Sequence, residues 1–404
     1  RQKLRRDDFT DASAKCLRPG LPMRRSSHSP NTVIAVAIAA AVSVALPGFL
    51  VGGLSVQIRG EFGVAEGRYG WAMSTYFLAA TAGAIVLGRL AQVIGPRRQL
   101  TLALLGAAVV DLCIALFANE FGYLIAFLAI AGLCNAAAQT AVNLGLAQAG
   151  LPRLGLALAV KQSGMPAASM LSGLAVPVIA LTLGWRWAFV GSATVALIAV
   201  VGVQQTISSS APQPTTEKAP SQSPLNALVI AGVAAMFLSF GAGALNAWVV
   251  ESGVDAGLGK GTAGLMLSIG AALGIAIRVG WGMRLDRMSW HPFVIAGVMV
   301  FGGAIGAIGL TGRSATIHII ATVVAFSGGW IWPVFLNFGV VRENEGNAAS
   351  ATGVTQTGVY LGVFIAPLTA GAIIERSGYP MMWTITAIAM AVGGILMLRV
   401  SERF

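Results

Sequence analysis

The sequence predicts an all-α membrane protein: twelve transmembrane helices in two six-helix bundles related by a pseudo-twofold axis. Three observations carry that prediction. A shift of 194 residues lays the chain over itself without a gap, placing Glu61, Gly63, Gly67, Gly70 and Ser74 on Asp255, Gly257, Gly261, Gly264 and Ser268. The match continues with Gly88 on Gly282, Asn143 on Asn337, Gln162-Ser163-Gly164 on Gln356-Thr357-Gly358 and Gly184 on Gly378. Second, 56% of the residues are hydrophobic, 10% are charged and the mean hydropathy is +0.78, so a water-soluble chain of this length would lack the polar surface to cover itself. Third, charges interrupt the apolar sequence at about the 20 residues that a spanning helix needs.

Taken in order, a basic stretch ending at Arg24-Arg25 precedes the first apolar run, 32–57. Arg59 and Arg68 separate it from the second span, 68–91, and Arg89, Arg97 and Arg98 separate that from the third, 99–118. The fourth, 122–148, is followed by Arg153 and the fifth, 154–182; Arg186 marks the start of the sixth, 184–204. A Ser-, Thr- and Pro-rich stretch at 206–224, unable to form a packed core, divides the chain. The second half repeats the pattern with spans 226–250, 263–284, 291–311, 314–339, 350–374 and 380–399. The resulting divisions are a basic, disordered extension (1–30), a first bundle (31–204), a cytoplasmic linker (205–225) and a second bundle (226–404). Met23 lies just before Arg24-Arg25, so residues 1–22 read as upstream translation or a tail. A secretory signal is discounted because the following run is long enough to span and eleven more spans follow it.

The net charge of +11 is not gathered into a nucleic-acid-binding patch but sorts by side. Loops on the side of the N-terminal tail hold Arg89, Arg97, Arg98, Arg153, Lys218, Arg284, Arg287, Arg342, Arg399 and Arg403. The opposite loops hold six: Arg59, Arg68, Arg186, Lys260, Arg313 and Arg376. With the tail's own basic residues, this bias predicts both termini in the cytoplasm and a cytoplasmic, inner cell membrane location. Trp71, Trp185, Trp187, Trp290 and Trp383 fall near span ends, where interfacial indoles are expected. Cys16, Cys113 and Cys134 are too few for a disulfide framework and lack metal-ligand spacing. No metal, haem or nucleotide motif is present, so no cofactor is expected. His28, His291 and His318 lie in the tail or near span ends and assemble no catalytic constellation, so an enzyme is not expected. Parallel repeats of apolar spans point instead to a secondary transporter with its site between the halves.

The loop after the second span, "GRLAQVIGPRR" (Gly88, Arg89, Gly95, Arg97, Arg98), is similar to the G-x-L-A-D-R-x-G-R-R signature of the major facilitator superfamily, which the chain resembles over essentially everything after residue 31. The resemblance implies a loop whose acid pairs with basic residues and helix ends to hold the cytoplasmic side closed. Here that acid is Gln92, while the second copy, Gly282 to Arg287, keeps Asp286 at the matching place. The latch is therefore expected to lean on Gly282, Asp286 and Arg287. These charges would otherwise serve only as topology determinants.

The resemblance also implies that spans 1, 4, 7 and 10 line the central cavity and spans 2, 5, 8 and 11 flank it. Within that frame, polar groups in apolar spans are functional candidates because they are costly there. Arg278 in the eighth span leads, since a guanidinium presents a rigid fork suited to a carboxylate. The stretch "IRVGWGMRLDR" resembles the eighth span of organic-anion and monocarboxylate carriers, in which an arginine meets the substrate's carboxylate. The alternative is that Arg278 pairs with Asp286 or loop carbonyls. Lys161 and Gln162, in "GLALAVKQSGMP", resemble a fifth-span pattern of cyanate and nitroimidazole carriers. Gln356 is the repeat mate of Gln162 and would face it across the axis, whereas Lys161 is also placed to snorkel to headgroups. Asn143, Asn337 and Asn246 are candidate substrate amides or interhelical hydrogen bonds. Trp330 is placed to wall the cavity or fill volume. Asp111, on the outer third span, is expected to make a structural hydrogen bond. Leu128 stands where drug antiporters of the family carry arginine, which weakens drug antiport.

The expected activity is transport of a small organic anion or similar polar solute across the bilayer by alternating access, with protons as the coupling ion. The alternatives are an exporter of hydrophobic drugs or metabolites and, less favoured, a membrane sensor, which would need a soluble signalling domain.

Overall fold

The computed structural model describes residues 30–148, 160–207, 223–285, 290–344 and 348–404. The tail, most of the linker, the start of the fifth span, Asp286 and Arg287 lie outside the described residues, so the second copy of the latch loop is described only as far as Leu285.

In hydrocarbon each backbone N–H must find its partner within its own segment, and the apolar runs answer with helices. Ten helices among the described residues are long and apolar enough to cross a bilayer. One of them, Ala348–Ser401, bends back on itself at Gly378 and holds the eleventh and twelfth spans. The shorter Gly164–Ala175, continued by the π-helical turn Val176–Ala180, is the fifth. Twelve spans result. The first is Pro30–Gly53, followed by a short helix, Ser55–Phe62; the second to fourth are Glu66–Ile94, Pro96–Phe117 and Phe121–Gln148; the sixth is Arg186–Thr206. The seventh to ninth are Leu225–Asp255, Lys260–Gly282 and Pro292–Gly309; the tenth is broken, Ala315–Gly329 then Trp332–Arg342.

The repeat recurs in the backbone. Among the described glycines with positive φ, Gly63 (60°) and Gly257 (93°) end the turns after the first and seventh spans, and Gly184 (101°) and Gly378 (78°) turn the chain into the sixth and twelfth. Each pair is 194 residues apart, at places where a side chain would be strained.

The halves meet on the side away from the termini, here called the outer side. The second span packs on the eleventh and the fifth on the eighth. Ser74 donates to Phe364 O at 2.7 Å, and Ser268 donates to Met170 O at 2.7 Å. The four residues are repeat mates in pairs, so one hydrogen bond is made twice about the axis. Gly70 and Gly264 are mates too, and a Cβ on either would strike backbone: Pro367 O for the first, Gly173 O for the second. Gly52 sits against the backbone of its own mate, Asn246, on the axis itself. Toward the terminal side this contact ends: a Cβ on Gly280, Gly282 or Gly353 would meet nothing within 4 Å. The halves are thus held together on the outer side.

Two of the expected interfacial indoles are corrected by this packing. Trp71, Trp187 and Trp290 are exposed, but Trp185 and Trp383 are buried, donating to Glu61 Oε2 at 2.6 Å and Ser252 Oγ at 2.7 Å. The loops they enter turn inward over the bundle, so the ring closes a loop instead of sitting among headgroups. Asp111 is fully buried on the third span, with the Ser192 hydroxyl of the sixth span beside it as the partner for the expected structural bond.

Candidate functional site

Two prolines shape the site. Pro166 has no N–H to give the carbonyl four residues back, which is Gln162 O, and the fifth span breaks into a turn at Gln162-Ser163. Pro333 stands at the start of the helix Trp332–Arg342, after the Gly328-Gly329 pair ends the preceding one; Val334 N bonds Ile331 O, so the helix restarts beyond Trp330. Each break leaves one backbone carbonyl without a helical donor, one in each half.

Arg278 answers both. Its Nη1 donates to Gln162 O at 3.0 Å and its Nη2 donates to Trp330 O, while Nε has no partner. The side chain is 5% exposed, and no carboxylate among the described residues pairs with it. Lys161, beside Gln162, is equally buried and makes no hydrogen bond or ion pair among the described residues. The structure therefore brings Arg278, Gln162 and Trp330 together across the seam, with Lys161 next to them. Two buried cations with no acid paired to them among the described residues concentrate positive charge in a low-dielectric place. Around them lies an aromatic wall: Trp330 is 6.3 Å from Phe49 of the first span and 5.5 Å from Phe326, and Phe49 meets Phe77 of the second edge-on at 6.3 Å.

The amides are placed apart. Asn246 is buried on the outer side, accepting from Ser169 Oγ at 2.5 Å and donating to Ala242 O at 2.8 Å, so it pins the seventh span to the fifth. Gln356 donates to Asn337 Oδ1 at 3.4 Å inside the second half, and Asn143 is exposed. No hydrogen bond joins Gln162 and Gln356 among the described residues. In the signature loop, Gly95 has a positive φ of 84°. Arg97 donates to Gln204 Oε1 at 2.9 and 2.7 Å; Arg89, Gln92 and Arg98 are exposed, a Cβ on Gly88 would lie 3.7 Å from Thr140, and one on Gly282 would meet nothing within 4 Å. The first copy is thus tied within its own half. The tie the sequence reading missed is Gln99, whose amide donates to Leu87 O, Ala137 O and Thr140 Oγ1 at 2.8, 3.0 and 3.2 Å. Pro166 and Pro333 were the available signals for the paired carbonyls.

Compared with known proteins, residues 32–367 match the sequence profile described as the Major Facilitator Superfamily. A search of curated proteins with the sequence found no match. Among solved structures, the fold is similar to a crystal structure of a D-xylose-proton symporter, with a TM-score of 0.73 at 12% identity over 91% of this chain and 97% of that one.

Proposed function

The chain belongs to the major facilitator superfamily, and from its site we propose that the solute it moves is a small organic anion carried with a proton. It is a secondary transporter and not an enzyme. The observation that carries the anion is Arg278, buried at the seam with no acid among the described residues paired with it. A carboxylate would take the planar fork now spent on two carbonyls, a charge-assisted pair replacing neutral ones. Because one of those carbonyls, Gln162 O, belongs to the first half, binding would release a contact between the halves, which is how a solute drives alternating access. The apolar body of the anion would lie against Phe49, Phe77 and Trp330. Lys161 supplies a second positive charge beside the fork. The basic bias of the terminal side supports cytoplasmic termini in a cytoplasmic membrane, making this conformation the inward-facing one.

The test is uptake of a labelled carboxylate panel by proteoliposomes holding the purified protein, with neutral sugars and cationic drugs as comparisons. Saturable, acid-stimulated uptake of a carboxylate is expected. Uptake of cationic drugs with no carboxylate competing would replace this reading with the exporter.

A further inference from the structure

The outer end of the seam holds a charge cluster in which one arginine serves both halves. Arg59, on the short helix after the first span, donates from Nε to Val64 O at 3.0 Å and pairs through Nη2 with Glu66 at 2.8 Å. Those partners belong to its own half. Its Nη1 pairs with Glu251 Oε1 at the end of the seventh span, in the other half. Glu251 is 9% exposed, and its second oxygen is buried without a partner. The cluster borders a cavity of about 680 Å³ on the outer surface, which Glu66, Asp255 and Tyr379 also line.

The sharing is unequal. When the halves part on this side, Arg59 keeps Glu66 and the Val64 carbonyl, but Glu251 loses its one cation. It is left one helical turn from Asp255 on the same helix, where two like charges disfavour each other. Tyr379 is a neutral phenol at these pH values, and burial pushes its pKa further above the ordinary value. Glu375 is engaged elsewhere on the seam, accepting from Gly67 N at 3.1 Å. The charged and titratable groups around Glu251 are therefore Arg59 and Glu66 from the first half and Asp255 and Tyr379 from its own, with His318 and Arg313 of the tenth span and the loop before it beyond Asp255, in the small pocket they share with Asp255 and Tyr379.

We propose that Glu251 is a proton-binding site on the outer gate, exchanging Arg59 for a proton as the outer side opens. The proton comes from water on that side and binds the carboxylate oxygen that the guanidinium N–H vacates; no other bond changes. Ionised Glu251 holds the gate shut and protonated Glu251 releases it, so acid on the outer side favours opening. This inference rests on the alternating-access part of the function proposed above, and not on the identity of the solute.

The experiment follows the gate without any substrate. Spin labels on Ala65→Cys and Lys260→Cys, both exposed and on opposite halves, in a background with Cys16, Cys113 and Cys134 changed to Ala, report outer-side distances from pH 8 to 5. In the otherwise native protein, the ratio of long to short distances should rise with acid by up to about tenfold per pH unit, the limit for one proton. Glu251→Gln should favour the long distance at every pH. Glu66→Gln should keep the native response, because Glu66 stays with Arg59 in both states. Arg59→Gln should invert it, since a buried, unpaired Glu251 closes only when protonated; this variant carries the test if Glu251→Gln does not yield a monodisperse protein. A native response in Glu251→Gln, no response in the native protein between pH 8 and 5, loss of the response in Glu66→Gln, or an unchanged sign in Arg59→Gln would overturn the proposal. If the gate responds as expected while no carboxylate is transported, the anion reading alone fails.

Discussion

The outer seam and the middle of the bundle are built on opposite rules. At the seam, the closest packing contacts are made twice: Ser74 to Phe364 and Ser268 to Met170, Gly70 against Pro367 and Gly264 against Gly173. At the site the charged and aromatic groups do not repeat, since the mates of Arg278, Lys161 and Trp330 are Ala84, Thr355 and Ala136. Parts that only have to open and close tolerate twofold duplication. A group that grips one small solute on the axis does not, because two guanidiniums facing each other in a low-dielectric cavity would repel. Symmetry therefore marks the packing that opens and closes, and asymmetry marks the charged groups.

The largest break in that comparison comes from removing the asymmetric group. Arg278→Ala should lower anion transport by the loss expected on truncating a buried charge pair, about 2–5 kcal/mol or roughly thirtyfold to a few thousandfold, measured as initial uptake rate per reconstituted protein. Arg278→Lys should rescue it poorly, because an ammonium lacks the planar fork. Transport that survives in Arg278→Ala would remove the guanidinium from the site.

Next in size are the backbone approaches. Gly70→Leu and Gly264→Leu each drive a side chain into a carbonyl of the other half, a packing conflict of about 1–3 kcal/mol, or roughly 5- to 150-fold in the closed-to-open ratio. Distances between outer labels should lengthen in both variants, and by similar amounts. If only one variant opens the gate, the two sides of the seam are not equivalent.

Smallest is the paired hydrogen bond. Ser74→Ala and Ser268→Ala each remove one bond worth about 0.5–1.5 kcal/mol, a shift of roughly two- to tenfold toward the open outer side. The effects should match and should combine additively in the double variant, since the sites are well separated. A large coupling between them would mean that the seam opens from one edge first.

Much of this was legible in the sequence because it depends on local or periodic properties. Span lengths follow from the reach of a helix across hydrocarbon, and the repeat follows from comparing the chain with itself. Arg278 stood out because a cation within an apolar run has no local way to be satisfied. Its partners did not, because Gln162 O lies 116 residues away and Trp330 O 52, and both are backbone atoms that no residue type announces. Asn246 read as a substrate amide or a packing group; which hydroxyl meets it, Ser169 on another span, is a property of helix crossing. Trp185 and Trp383 misled for the same reason, as nearness to a span end says nothing about whether the loop folds inward.

By itself, then, the sequence determined the number of spans, the duplication, the inflexible turns at Gly63, Gly184, Gly257 and Gly378, and the cations that have to be buried. Each of these depends on one residue or one periodicity. Only the tertiary structure decided that the outer side is the closed one, that two carbonyls freed by helix breaks converge on Arg278, and that Arg59 is shared between Glu66 and Glu251. Those depend on how two rigid bundles lean on each other, and the same helices can lean in more than one way because the contacts holding this arrangement are few, small and spread over the seam.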